Sequence, residues 1–222
     1  FTPGAGSGNL TLSGTVAGTG DLVIGSAGGS TATTTLAFSS GTLEGHTVIE
    51  NADVAINTQA SIGAAGLSLS GANVTLGTAL TLRAADLGPP ATPDQVFDLT
   101  GTSTLTGGGT GLTAFTVNGG MTGGGALTLS GISMNVGGAT ASYNGTLTLD
   151  GSSTLTTSNQ QLLSNVASIT LGNETSLAYD GTVAGNYSGP LNATGASATI
   201  ATSGATAGDF TIDGTVTATD IV

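Results

Sequence analysis

The chain has 222 residues, 39 of them Gly and none of them Cys or Trp, and it carries one basic residue, Arg83, against 13 acids, for a formal net charge of −12. A single cation leaves nothing to neutralise a phosphate backbone or an anionic lipid surface, so nucleic acid and acidic membranes are excluded as partners. The missing Cys excludes disulfides and thiolate metal sites, and no run of 18 apolar residues is present to insert in a bilayer as a helix.

In chain order, strand-sized apolar pairs at i and i+2 recur about every ten residues. They are Leu10/Leu12, Leu22/Ile24, Leu36/Phe38, Val54/Ile56, Leu67/Leu69, Val74/Leu76 and Leu80/Leu82, then Phe115/Val117, Leu127/Leu129, Ile132/Met134, Leu147/Leu149, Ile169/Leu171, Leu177/Tyr179 and Phe210/Ile212. Gly, Asn, Asp or Ser separates them, and Thr and Ser fill the alternate positions, as suits strands with hydroxyl-bearing outer faces. Two segments interrupt the rhythm. Leu87–Asp94 holds three of the five prolines and predicts an excursion from the ladder. Ser158–Asn165 predicts a short helical turn or an extruded loop. The same strand pattern resumes after each, so the chain reads as one domain over 1–222.

Six copies of an [aromatic/aliphatic]-x-[Leu/Ile]-[Ser/Thr/Asp]-Gly motif run through the chain, starting at Leu10, Leu67, Phe97, Leu127, Leu147 and Phe210. Each is a short strand followed by a turn, and none can bury its own apolar face, so the copies must stack. The expected architecture is all-β, a β-solenoid (parallel β-helix) of about eight to eleven coils, roughly 40–50 Å long at one strand spacing per coil. With aromatics at 4 %, its core is expected to be Leu, Val, Ile and Ala.

The segments Gly8–Ile24, with Leu10-Thr11-Leu12-Ser13-Gly14 at its centre, and Gly145–Leu155, with Leu147-Thr148-Leu149-Asp150-Gly151, resemble the strand repeats of bacterial autotransporter passengers and haemagglutinin-like surface adhesins. The resemblance implies a right-handed parallel β-helix that is secreted or displayed on a cell surface. A Thr/Gly/Ser-rich β-sandwich filament subunit has similar composition and is the alternative architecture.

Catalytic chemistry is not legible. The 13 acids are scattered and sit mostly at strand ends, where Asp caps turns, and no nucleophile motif or phosphate loop is present. Glu44, His46, Glu50 and Asp53 form the densest polar group, around the only His. Arg83 reads as a structural partner of Asp86. No cofactor is expected; for calcium, Asp180, Asp209 and Asp213 are the nearest to a ligand set. Thr146/Thr148 and Thr217/Thr219 have the Thr-x-Thr form of an ice-binding face, yet they recur at no fixed spacing. The Pro89, Pro90, Pro93 and Asp94 excursion is the candidate loop for contacting glycans or a host surface.

The terminal segments carry the functional expectation. A solenoid exposes an unpaired strand edge at each end unless something covers it. Phe1, Leu10 and Leu12 at one end, and Phe210, Ile212, Val216, Ile221 and Val222 at the other, are the predicted assembly edges. Head-to-tail pairing of such edges does not close and so builds a homopolymer. The expected role is a non-enzymatic structural subunit of an extracellular filament or matrix; the alternative is a monomeric adhesin rod.

Overall fold

The structure, a computed structural model, describes residues 9–25, 32–84, 94–137, 141–204 and 206–219. Its strands are too short to bury a face alone, and each pairs in parallel with the strand one coil further on. The result is a β-solenoid of about eight turns, as the strand pattern predicts. A ten-stranded sheet runs Leu10–Gly18, Thr33–Leu43, Asp53–Ile56, Asn73–Leu76, Thr102–Gly107, Ala126–Ser130, Thr146–Asp150, Ser168–Leu171, Leu191–Ala193 and Val216–Ala218. Beside it lie a five-stranded sheet, from Leu22–Gly25 to Met121–Gly123, and a six-stranded sheet, from Leu80–Leu82 to Thr199–Thr202. Gly185–Tyr187 and Phe210–Ile212 make a two-stranded sheet. One coil, for example, passes through Val96–Thr100, Thr102–Gly107 and Thr113–Val117, one strand in each of the three larger sheets.

All fourteen apolar pairs read from the sequence lie on strands, and most point inward. They align coil upon coil. In the ten-stranded sheet Leu105, Leu129, Leu149 and Leu171 oppose one another in register and are fully buried. Burying each such side chain contributes about 1.5–3 kcal/mol. The core departs from expectation in one respect: it is not aliphatic alone. Phe97 and Phe115 meet edge to face, with centroids 5.1 Å apart, joining two sheets across the interior. Tyr143, Tyr179 and Tyr187 are buried as well.

The motif marks strand and turn, not a fixed place in the coil. Its copies at Leu67 and Phe97 oppose each other in the five-stranded sheet, whereas those at Leu127 and Leu147 oppose each other in the ten-stranded sheet. That explains its uneven gaps. The closing Gly is needed for geometry at the corner between these two sheets. There Asn51, Gly71 and Gly101 take φ of 48°, 64° and 66° in successive coils. Only Gly, and Asn at some cost, adopts this left-handed conformation readily.

All three Tyr are followed two residues later by Gly, at Gly145, Gly181 and Gly189. Each ring folds over its glycine and the hydroxyl reaches a backbone carbonyl beyond it. The Tyr143 hydroxyl lies 2.7 Å from the carbonyls of both Gly125 and Thr146. Tyr187 donates to the Pro190 carbonyl at 2.8 Å and Tyr179 to that of Val183 at 2.9 Å. A Cβ on Gly145 or Gly189 would stand 2.6 Å from the tyrosine oxygen, so any side chain there displaces the ring.

Burial pushes the Tyr187 hydroxyl up to about 12, and it raises Tyr143 too. An unfolded tyrosine ionises near pH 10, so their contribution is complete below pH 10 and is lost as pH rises toward the folded value. The expected thermal midpoint is therefore flat to about pH 9.5 and falls above pH 10. Thermal unfolding of Tyr187→Phe across that range should show a shallower fall; an identical profile would contradict the assignment.

Where the ladder is interrupted, glutamine amides stand in for a strand. A 3-10 turn at Gln59–Ser61 replaces the six-stranded sheet's strand in its coil, and Gln59 takes over its bonds. Gln59 Nε2 donates to the Thr81 carbonyl at 2.9 Å, and its Oε1 accepts the Thr81 N–H at 2.8 Å. The predicted helical turn is the helix Gln160–Asn165, capped by the Asn159 side chain accepting from the Leu162 N–H. From it Gln160 makes the same two bonds with Asn186, both at 2.9 Å, toward the next coil. Gln161 and Asn165 bond the N–H and carbonyl of Ala141 in the coil before. Gln160→Ala should cost about 1 kcal/mol, because water reaches these groups, and should raise hydrogen exchange at the Asn186 amide. Unchanged exchange there would sink the idea.

Candidate functional site

The two end strands of the ten-stranded sheet, Leu10–Gly18 and Val216–Ala218, each pair on one side only among the described residues. At the second of them the Leu191 N–H bonds the Thr215 carbonyl and the Thr219 N–H bonds the Ala193 carbonyl. Backbone groups alternate sides along a parallel strand. The groups of Val216 and Ala218 therefore face outward. Leu10 and Leu12 are half-buried, as is Ile212, and Val216 is 53 % exposed. Phe210 stacks on Tyr179, with centroids 5.5 Å apart, and so belongs to the core of the last coils. Among the described residues four of the five exposed large apolar residues lie toward the ends, Val23 in the first coils and Val183, Ile200 and Val216 in the last, while Leu112 is mid-rod. Phe1, Ile221 and Val222 lie outside the described residues.

The polar group around His46 is rearranged relative to the sequence expectation. Glu50 shares a face with His46 but stands four positions, about 13 Å, along the strand, and Asp53 begins a strand of a different sheet, where it accepts from Asn73 Nδ2 at 2.9 Å. The partner of His46 comes from one coil earlier. Asp21 Oδ1 accepts the His46 N–H at 2.7 Å and lies 3.7 Å from its Nδ1. Both side chains are well exposed, and such a pair contributes little. They open onto a shallow groove with Asp98, whose carboxylate accepts from Thr122 Oγ1 at 2.7 Å and Ser68 Oγ at 3.4 Å. Those bonds tie three coils of the sheet together.

Asp180, Asp209 and Asp213 are held apart in role. Asp213 accepts from Asn186 Nδ2 at 2.7 Å, the Asp209 carbonyl accepts the Gly185 N–H at 2.8 Å, and Asp180 Oδ1 is buried without a partner. Among the described residues no three His, Asp or Glu side chains converge as a metal site, and no helix is long and apolar enough to cross a membrane. Of the proline-rich excursion only Asp94 is described, and it is half-buried; Pro89, Pro90 and Pro93 lie outside, as does Asp86. The Arg83 N–H bonds Gln95 Oε1 at 3.0 Å. Val74 opposes Leu105, 31 residues on, making this coil longer than those after it.

One arrangement was hidden by sequence spacing. Thr104, Thr128, Thr148 and Thr170 oppose one another in register on the outer face of the ten-stranded sheet. Each immediately precedes one of the four stacked leucines, which is the signal that identifies them. No protein family, curated protein or solved structure matches this chain.

Proposed function

We propose that this chain is a non-enzymatic structural subunit of an extracellular or cell-surface filament or matrix, one that grows head to tail by pairing of end strands. The supporting observation is the pair of strands at the ends of the ten-stranded sheet, Leu10–Gly18 and Val216–Ala218, which among the described residues pair on one side only. An exposed strand edge is a template for another strand, and a solenoid offers complementary edges at opposite ends. The inward and outward alternation also matches. With Val216 set opposite Leu10, Thr217 meets Thr11 and Ala218 meets Leu12, so the inward positions of one edge meet the inward positions of the other.

The apolar residues near the ends add contact area to such a junction, while a net charge of −12 opposes it. Assembly is therefore expected to be favoured by salt or divalent cations, calcium included, through screening and without a dedicated site. Sedimentation velocity over a concentration series, at low and physiological salt, tests this. Species that lengthen with concentration, and at lower concentration in salt, support the reading. A single monomer boundary throughout would favour the adhesin rod.

A further inference from the structure

We propose that the outer face of the ten-stranded sheet, centred on Thr104, Thr128, Thr148 and Thr170, binds ice. The spacing along the chain argued against it, because successive threonines are 24, 20 and 22 residues apart. Register removes that objection. The coils differ in length only at their turns, and from Thr102–Gly107 to Ser168–Leu171 the strands pair residue for residue with no bulge. A second column, Thr102, Ala126, Thr146 and Ser168, runs two residues away on the same face. The hydroxyls thus stand on a two-dimensional grid of about 4.8 Å between strands and about 6.7 Å along them. Hexagonal ice repeats its surface oxygens at two closely similar spacings.

The chemistry of the face points the same way. Several hydroxyls elsewhere on the rod are consumed within the protein: Thr122 bonds Asp98, Thr154 bonds Ser133, and Thr157 bonds the Val136 carbonyl. Among the described residues the hydroxyls of Thr102, Thr104, Thr128, Thr146, Thr148 and Thr170 have no protein partner, so water must satisfy their one donor and two acceptor positions. A β-branched side chain on a strand is restricted at χ1, which fixes each hydroxyl and its neighbouring methyl in place. Water on such a grid is ordered before ice arrives, and that lowers the entropy cost of joining the crystal. These two columns hold no charge and no aromatic ring. A crystalline polysaccharide would call for exposed aromatic platforms, and a mineral surface for carboxylates.

The inference is independent of polymerisation, since every copy carries the face. The test is slow directional freezing of the folded 222-residue protein beside a non-binding reference protein, with the fraction of each in the ice measured. Wild type should be enriched several-fold over the reference. The pair Thr128→Tyr and Thr148→Tyr should abolish that enrichment, and Thr116→Tyr with Thr156→Tyr, on the outer face of the six-stranded sheet, should leave it intact. Should the tyrosine pair on the grid misfold by circular dichroism, Thr128→Ser with Thr148→Ser keeps the hydroxyls, frees their rotamers and should cut enrichment measurably. Exclusion of wild type to the level of the reference, or equal behaviour of the two tyrosine pairs, would overturn the proposal.

Discussion

Leu129→Asp leaves no cooperatively folded rod. Leu129 is fully buried between Leu105 and Leu149 in the column that lines the ten-stranded sheet. A carboxylate there has no basic partner, since the chain's one cation is Arg83. Burying an unpaired charge costs far more than the marginal stability of a domain supplies. The milder Leu129→Ala removes the same contacts and leaves a cavity that stacked neighbours on both sides hold open, at a cost of about 2–5 kcal/mol. Because each coil touches only its neighbours, the damage is local in origin. Denaturant unfolding should show Leu129→Ala melting early or in two phases, and a parent-like transition would contradict the packing described here.

On the proposed assembly, Val216→Pro or Thr11→Pro, each alone, should stop head-to-tail growth and leave the subunit folded. The Val216 N–H faces the open side, so proline there removes a donor used only by an incoming copy and puts its ring in the way. At the other end the Asn57 N–H bonds the Leu36 carbonyl, so Thr35 faces the first strand and Thr11, in register with it, points its groups outward. Every junction uses one edge of each kind, so blocking either suffices. The thermal midpoint of the variants should match the parent while light scattering at high concentration falls to the monomer level. Growth persisting in both variants would show that the edges are not the contact.

The sequence made the fold legible where both inward positions of a strand are apolar. Strands with a buried hydroxyl escaped it. Thr47 bonds the Ser61 carbonyl, Ser103 accepts the Ala72 N–H, and Thr157 bonds the Val136 carbonyl, all from inside the coil. A polar residue at an inward position breaks the alternation that betrays a strand, although its hydrogen bond offsets the cost of burying the hydroxyl. The aromatic core was not legible, since the meaning of Tyr-x-Gly lies in a ring folding back over its glycine, a contact that the order of residues alone does not display.

The surface was harder to read, for a reason that His46 and the threonine columns share. In a solenoid the neighbours of a side chain sit one coil away, and coil length varies with its turns. Asp21 therefore meets His46 across 25 residues while Glu50, four residues away, does not. Thr104, Thr128, Thr148 and Thr170 form a straight row that counting along the chain disguises. Composition settled what such a surface excludes; only register shows what it presents.

The most direct test of end-to-end assembly is electron microscopy of the purified chain over a concentration series, with fibre diffraction of the concentrated sample. The account predicts filaments one rod wide, with strands across the axis and a meridional spacing of about 4.8 Å. Short, unassociated rods at every concentration would contradict it.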